Sequence, residues 1–256
     1  MRLFRLTFIT LFARKGWVLA FASALALPFF LPYLTPYEGN VKLIAPARAQ
    51  VAWSVAWLIA IFWSMTQAAM FGESNSRTGL GAYFRSAGVS RMSQLFQIWL
   101  ANILYLLPVV LIAFVICLVA AMPGNEKEAE MWVATNLQYA ALFALTIAPL
   151  VLLAVALASR FGSLVGFVTP MTLCLYGLYG VGHLGEMIKL RENPVLEWIY
   201  AISPHYHLAD LTPRLVFKMG QYPTEIFASL ATYFLGIMLV FGVAATGLFK
   251  TDPLKS

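Results

Sequence analysis

Six long stretches of the chain contain no Asp, Glu, Lys or Arg, and this feature constrains the fold most strongly. Each stretch has at least 22 residues, enough for a helix to cross a hydrocarbon core of about 30 Å. The intervals are 16–37, 49–72, 92–125, 131–159, 161–185 and 226–249. Because lipid offers no hydrogen bonds and the stretches lack period-two alternation, they favour helices over a barrel. The sequence predicts an all-α polytopic membrane protein with six transmembrane helices.

Composition supports this interpretation and excludes most enzyme classes. Hydrophobic residues make up 61% and charged residues 11% of the 256 residues, a balance that a water-soluble domain does not have. Six spans leave no room for a large soluble catalytic domain, so we expect a single membrane domain over residues 1–256. Cys117 and Cys174 lie inside charge-free runs, where a free thiol behaves as a small hydrophobic group.

The distribution of Lys and Arg predicts the orientation. With the N-terminus inside, the inner segments are 1–15, 72–94, 159–162 and 250–256, and the outer segments are 35–50, 123–131 and 185–223. The inner segments hold 10 Lys and Arg in 49 residues, and the outer segments hold 7 in about 64. We therefore expect both termini in the cytoplasm and the chain in the inner (cytoplasmic) membrane.

Residues 1–15 are predicted to form an amphipathic helix on the cytoplasmic surface of the membrane. Phe4, Phe8, Leu11 and Phe12 share a helical face of about 100°, while the basic residues can contact lipid headgroups. The alternative is an extension of the first span.

The outer loop 185–223 contains an uncharged run, 198–209, of only 12 residues, which is too short to span. We expect this run to dip into the bilayer or to lie on its outer face, broken by Pro204 into two short helices. The residues assigned to this re-entrant or interfacial element are Trp198, Tyr200, Pro204, His205 and His207.

Two further features of the spans and the outer loop allow more than one interpretation. With His183, the two loop histidines resemble a three-imidazole metal site, but aromatic and imidazole side chains are expected at a membrane interface, and we favour that explanation and predict no metal. Pro28, Pro108, Pro149 and Pro170 either kink or unwind four spans, or are there because proline is common in membranes. In the fifth span, Gly162 and Gly166 favour packing within the chain over a dimer seam.

The sequence lacks the residue patterns that mark several kinds of catalytic and transport site. No span has a charged residue at its centre, which disfavours a proton-driven transporter. His-Glu-x-x-His, Gly-x-Ser-x-Gly and Walker A patterns are also absent. We therefore expect a chain that is not an enzyme and carries no cofactor of its own, so any ATP would be bound by another subunit.

The inner loop 72–94 carries the sharpest signal. Glu73 follows the second span, and Gly79 and Gly88 bracket a segment with Tyr83, Phe84 and Arg85, which predicts a helix of one to two turns. Ser90 is placed to cap the next helix. An ordinary positive-inside loop explains the arginines but not a glycine-bracketed aromatic helix.

At these residues the chain resembles the permease subunits of ABC-2-type transporters. The resemblance covers the architecture of the whole chain, and in residues it is carried by Glu73, Arg77-Thr78-Gly79-Leu80, Gly88-Val89-Ser90-Arg91 and Pro204. It implies that loop 72–94 is a coupling helix that contacts a separate ATPase. The coupling residues would be Glu73, Arg77, Gly79, Tyr83, Phe84, Arg85, Gly88, Ser90 and Arg91.

The resemblance implies an ATP-driven exporter, with ATP and Mg²⁺ held by an ABC ATPase subunit and a second permease copy completing a homodimer or heterodimer. A neutral, apolar path favours a lipid-like or amphiphilic substrate. We expect contacts with membrane lipid and none with nucleic acid. The alternative is a membrane subunit that moves no substrate and relays the work of the ATPase to a periplasmic partner through the outer loop.

Overall fold

The computed structural model describes residues 2–34, 41–190 and 193–252, and every regular element within these ranges is helical. In chain order the α-helices are α1 Arg2–Ala13, α2 Gly16–Phe30, α3 Val41–Leu58, α4 Met65–Arg77, α5 Leu80–Ser86, α6 Arg91–Val119, α7 Glu126–Phe161, α8 Ser163–Leu175, α9 Val181–Leu190, α10 Pro194–Ile202, α11 Thr212–Val216 and α12 Thr224–Leu248. Short 3-10 helices occupy Leu31–Leu34 and Tyr206–Ala209, and π-helical turns occupy Ile59–Ser64 and Tyr176–Gly180.

Six helices in the described residues are long and apolar enough to cross a membrane, which confirms the predicted number. They are span 1 Gly16–Leu34, span 2 Leu43–Arg77, span 3 Arg91–Val119, span 4 Glu126–Phe161, span 5 Ser163–Leu190 and span 6 Thr224–Leu248. The chain is therefore an all-α polytopic membrane protein. Spans 2 and 5 run farther than their charge-free intervals, so Glu73 and Arg77 lie on the last turns of span 2.

Span 4 lies at the centre of the bundle and packs against spans 2, 3, 5 and 6. Its second half is buried almost without interruption, including Leu150, Ala154 and Ala158. Small residues let neighbouring backbones approach, as they do where Gly166 of span 5 meets Ala158. A Cβ atom added to Gly166 would lie 2.4 Å from the Ala158 Cβ, so this glycine packs within the chain, as predicted.

The N-terminal helix α1 is separate from span 1. Between them Lys15 adopts a left-handed conformation with φ of 54°, and Gly16 then packs directly against the ring of Trp63. Leu3, Thr7 and Leu11 form the buried face of α1. This break rules out the alternative in which residues 2–13 simply extend the first span.

The four prolines highlighted in the sequence do not unwind their spans. Pro28, Pro108, Pro149 and Pro170 all lie inside continuous α-helices. The helical repeat changes elsewhere, at the two π-helical turns in spans 2 and 5. Such turns are rare in proteins, and those that occur often lie at functional sites.

The two ends of the bundle gather different segments. One end, which we call the 72–94 end, holds α1, the connection between spans 2 and 3, the junction of spans 4 and 5, and the chain after span 6. The Phe4 N–H donates to Gln97 Oε1 there, at 3.1 Å, and the Arg85 guanidinium pairs with Asp252. At the opposite 185–223 end, Lys218 pairs with Glu128 at 2.7 Å.

Candidate functional site

The short helix α5 forms as the glycine spacing predicted. Gly79 and Gly88 flank it with φ values of 76° and 83°, a region that glycine enters without strain. Ser90 caps α6, because its Oγ accepts a hydrogen bond from the Ser93 N–H at 3.2 Å. The sequence prediction for this local structure is confirmed.

Buried amide side chains bind α5 to spans 2 and 3. Gln94 Nε2 donates to the carbonyl oxygens of Gly81 and Val89, each at 3.1 Å. Asn75 Nδ2 in turn donates to Gln94 Oε1 at 3.1 Å, and both amides are buried. Because unmade hydrogen bonds are expensive in a buried site, this network holds α5 in one position.

The chain after span 6 holds α5 from the other side. Arg85 Nη1 donates to Asp252 Oδ2 at 2.8 Å and to Thr251 Oγ1 at 3.3 Å. Beside these bonds, Arg91 at the start of span 3 donates to the carbonyl oxygen of Thr246 in the last turn of span 6. Gly81 leaves room for this approach, since a Cβ atom there would lie 2.6 Å from the Thr251 carbonyl oxygen.

Glu73 connects span 2 to the junction between spans 4 and 5. Its Oε1 pairs with the Arg77 guanidinium at 2.7 Å, and its Oε2 accepts from the Ser163 N–H at 3.0 Å. A carboxylate at the first N–H groups of a helix is favourable because those groups lack helical partners. The Lys250 N–H adds a bond to Ser159 Oγ at 2.9 Å. We call residues 73–94, 159–163 and 246–252 together the platform.

The two neighbouring aromatic residues of α5 have opposite environments. Tyr83 is 65% exposed, whereas Phe84 is only 7% exposed and belongs to the hydrophobic core. This corrects the expectation that both rings contact a partner, because consecutive helical residues lie about 100° apart around the axis. The surface available to a partner comprises Tyr83 and the exposed guanidinium groups of Arg77 and Arg85.

The outer element divides at Pro204, as predicted. Before it, α10 exposes Trp198 and Ile202; after it, Tyr206, Ala209 and Leu211 are completely buried. Tyr206 stacks on Phe234 with ring centroids 6.2 Å apart and lies against Gly177, where a Cβ atom would be 2.5 Å from its ring. Helix α10 therefore lies at the surface of the bundle, whereas residues 206–216, which we call the inserted element, pack among the spans.

The histidines of this element lie among aromatic rings. The ring of His205 is 4.5 Å from that of Tyr200 and 5.6 Å from that of His207. Burial lowers the pKa of both imidazoles, and the nearby His205 lowers the pKa of His207 further. Within the described residues no group of three His, Cys, Asp or Glu side chains is placed to hold a metal ion.

One acidic residue of the outer loop was missed by the sequence analysis. Asp210 Oδ1 accepts hydrogen bonds from the Tyr139 hydroxyl at 2.5 Å and from the Thr212 N–H at 3.0 Å. Tyr139 belongs to span 4 and accepts from the Trp57 Nε1–H of span 2 at 3.0 Å. The available signal was its position directly after the uncharged run 198–209.

Comparison of the chain with protein-family models, with curated proteins and with solved structures finds no match. The function is therefore inferred from two features of the bundle. These are the platform that carries α5 at the 72–94 end and the inserted element at the 185–223 end.

Proposed function

We propose that the chain is the permease subunit of an ABC exporter of the ABC-2 type, in the inner membrane with its 72–94 end in the cytoplasm. The observation that carries the proposal is α5, which exposes Tyr83 while its other side is bonded into the platform. A separate ATPase subunit would hold ATP and Mg²⁺ and contact Tyr83. A second permease copy would complete the transporter.

The platform suits the transmission of force. A displacement of α5 acts on spans 2 and 3 through Asn75 and Gln94, and on the end of span 6 through Asp252. The bond from Ser163 to Glu73 extends the connection to span 5. Because packed helices move as rigid bodies rather than deforming, closure of an ATPase pair against α5 would shift several spans together.

The proposed substrate class is supported by an apolar cavity between two of the spans. A cavity of about 400 Å³ lies between spans 3 and 4, and its lining is aliphatic and aromatic, including Leu107, Phe114 and Leu137. This supports a lipid-like or amphiphilic substrate over a small ion.

The relay function remains the second candidate, and one observation favours it. On helix α10 the side chain of Trp198 is 72% exposed, and Val195 and Ile202 are exposed as well. A periplasmic partner could bind this apolar face, whereas in an exporter the same face would rest in lipid. Nucleotide-dependent release of such a partner, without movement of a labelled lipid across reconstituted vesicles, would identify the relay.

Co-purification tests the proposal. The tagged chain, solubilised from its own membranes, should bring down a P-loop ATPase. Tyr83→Ala should weaken that association by about 2 kcal/mol, roughly thirtyfold, because exposed aromatic residues often dominate interface energies. Tyr33→Ala, at an exposed tyrosine of the opposite end, is the matched control. Failure to recover an ATPase, or equal recovery with both variants, would contradict the assignment.

The orientation can be tested by labelling single cysteines in intact cells. Lys127→Cys and Leu190→Cys should react with an impermeant reagent, whereas Thr78→Cys and Ser86→Cys should react only after permeabilisation. All four positions are exposed, and the native Cys117 and Cys174 are buried. Labelling of position 78 in intact cells would reverse the proposed topology.

A further inference from the structure

A cavity that the proposed function does not use lies at the 185–223 end of the bundle. It has a volume of about 450 Å³, within the usual range for small-molecule sites, and lies between α9, α10 and the 3-10 helix Tyr206–Ala209. Its lining mixes charged, aromatic and small residues, whereas the cavity between spans 3 and 4 is lined by apolar side chains. We call it the α9–α10 cleft.

Helical spacing brings the polar residues of both helices to this cleft. On α10, Glu197 and Tyr200 are three positions apart, so their side chains share one face of the helix. Four lining residues of α9 follow the spacing i, i+3, i+4 and i+7 of a single helical face, namely Gly182, Gly185, Glu186 and Lys189. The cleft is therefore formed by two polar helical faces.

Close packing of aromatic rings against α9 holds the walls of the cleft together. A Cβ atom at Gly185 would lie 3.1 Å from the Tyr200 ring, and one at Gly182 would lie 3.8 Å from the His207 ring. The Tyr200 ring is in turn 4.5 Å from the ring of His205. These contacts fix α10 and the 206–209 turn against the end of span 5, so the cleft needs no ligand in order to form.

The charges of the cleft leave one carboxylate without a cation. Lys189 Nζ donates to Glu186 Oε1 at 2.8 Å, and these two charges neutralise each other. An ammonium group has three donors, so Lys189 can still bind a negative group. Within the part of the chain that the structure describes, no Lys or Arg pairs with Glu197. The lining thus suits a ligand that carries both a positive and a negative group.

The position of the cleft along span 5 places it at the depth of lipid headgroups. The uncharged stretch between Arg160 and Glu186 extends about 37 Å at 1.5 Å per residue, slightly more than a hydrocarbon core of about 30 Å. On the side of α10 away from the cleft, Val195, Trp198 and Ile202 form an exposed apolar face. Helices with one apolar and one polar face lie in the membrane interface. A ligand of the cleft therefore has lipid beside it.

We propose that the α9–α10 cleft binds the phosphoethanolamine headgroup of a membrane phospholipid. The primary ammonium of the lipid pairs with Glu197, the phosphate pairs with Lys189, and the acyl chains enter the bilayer beside α10. A choline headgroup has no N–H to donate to Glu197, and an anionic headgroup brings no cation for it. The site does not depend on the proposed function, because a phospholipid can occupy it whether or not the chain exports a substrate.

Three short-chain lipids with different headgroups provide the test. The purified chain, delipidated in a nonionic detergent, is titrated with dioctanoyl phosphatidylethanolamine, phosphatidylcholine and phosphatidylglycerol, and binding to protein-free micelles is subtracted. Saturable binding of phosphatidylethanolamine is expected, with a Kd at least about tenfold lower than that of the other two, because charge-assisted hydrogen bonds are strong. Soluble phosphoethanolamine, which has the same headgroup chemistry without acyl chains, should bind much more weakly.

Variants of exposed residues separate the two halves of the headgroup. Glu197→Gln should abolish the preference for phosphatidylethanolamine over phosphatidylcholine. The double change Glu186→Gln with Lys189→Gln removes the partner of the phosphate without altering the net charge, so it should weaken both lipids alike and keep the preference. Glu225→Gln, at an exposed carboxylate of α12 at the same end, is the matched control and should leave every Kd unchanged. The unfolding midpoint checks that each variant is folded.

Equal affinity for the three lipids, or a folded Glu197→Gln variant that keeps the preference, would overturn the site. The absence of saturable binding would do the same, and soluble phosphoethanolamine binding as tightly as the lipid would overturn the assignment of a lipid. Because no ATPase takes part in the titration, these outcomes leave the proposed function untouched, and failure to recover an ATPase leaves the site untouched.

Discussion

Both ends of the bundle combine ion pairs with buried side chains, but they differ in how their loops are held. At the 72–94 end, separate segments are joined by directional bonds, such as Arg85 to Asp252 and the Ser163 N–H to Glu73. At the 185–223 end, a loop is held by insertion, with Tyr206, Leu211 and Leu215 buried among the spans. The bonds at the 72–94 end fix the position of α5, whereas the packing at the 185–223 end buries apolar side chains.

This difference has an energetic consequence. The Arg85–Asp252 pair is more than half exposed, and exposed pairs contribute only about 0–1 kcal/mol. A fully buried aromatic side chain contributes several times as much. We therefore expect the inserted element to supply stability, and the platform to supply the alignment that a coupling surface needs.

The largest expected effect is the loss of an anchor of the inserted element. Tyr206→Ala removes a ring that is fully buried between Gly177 and Phe234, and should cost about 3–5 kcal/mol. The midpoint of unfolding in detergent, followed by the exposure of buried Cys174 to a thiol reagent, measures it. Trp198→Ala at the exposed α10 is the control and should change little. Similar losses for both variants would mean that residues 206–216 are not anchored in the bundle.

A smaller effect is expected from crowding the platform. Gly81→Ala places a methyl group 2.6 Å from the Thr251 carbonyl oxygen and 2.8 Å from that of Asn75, so the neighbouring backbones must shift. Over-packing of this kind costs about 1–3 kcal/mol. Gly236→Ala, where a Cβ atom meets nothing within 4 Å, is the matched control.

The same Gly81 variant separates alignment from stability. If the platform positions α5, Gly81→Ala should reduce binding of the ATPase by more than its loss of thermal stability accounts for. If binding is normal in a variant that is measurably destabilised, the platform does not align α5.

The sequence alone anticipated the features that depend on local chemistry. Charge-free runs locate the six spans, because a helix in lipid tolerates few ionised groups. The ends of α5 at Gly79 and Gly88 and the break at Pro204 follow from backbone preferences.

Features that depend on distant partners could not be anticipated. Tyr83 and Phe84 are adjacent aromatic residues, and only the packing of α5 decides which one is buried. Arg85 finds a partner 167 positions later, at Asp252. Asp210 appears in the sequence as part of a hydrophilic loop, and nothing local shows that it enters the bundle.

The smallest expected effect is a pH dependence of stability that arises from His205 and His207. Burial lowers the pKa of His205 and His207 below the ordinary value of 6.5, so the folded state takes up protons less readily than the unfolded chain. Their contribution to stability is complete above pH 6.5 and declines as the pH falls through that value towards the pKa of the folded state. We expect a lower unfolding midpoint at pH 5.5 than at pH 7.5.

The fall in the unfolding midpoint between pH 7.5 and pH 5.5 should shrink when His205 and His207 are both replaced by Gln. The His183→Gln variant, changed at an exposed position on span 5, should retain the full fall. The same samples test the metal interpretation, because a three-imidazole site would make zinc raise the midpoint at pH 7.5 and lose that effect in acid. His205 and His207 bring only two imidazoles together, 5.6 Å apart, and a site of two ligands holds zinc poorly. We therefore expect zinc to leave the midpoint unchanged; stoichiometric zinc that disappears in the double variant would show that these imidazoles bind metal.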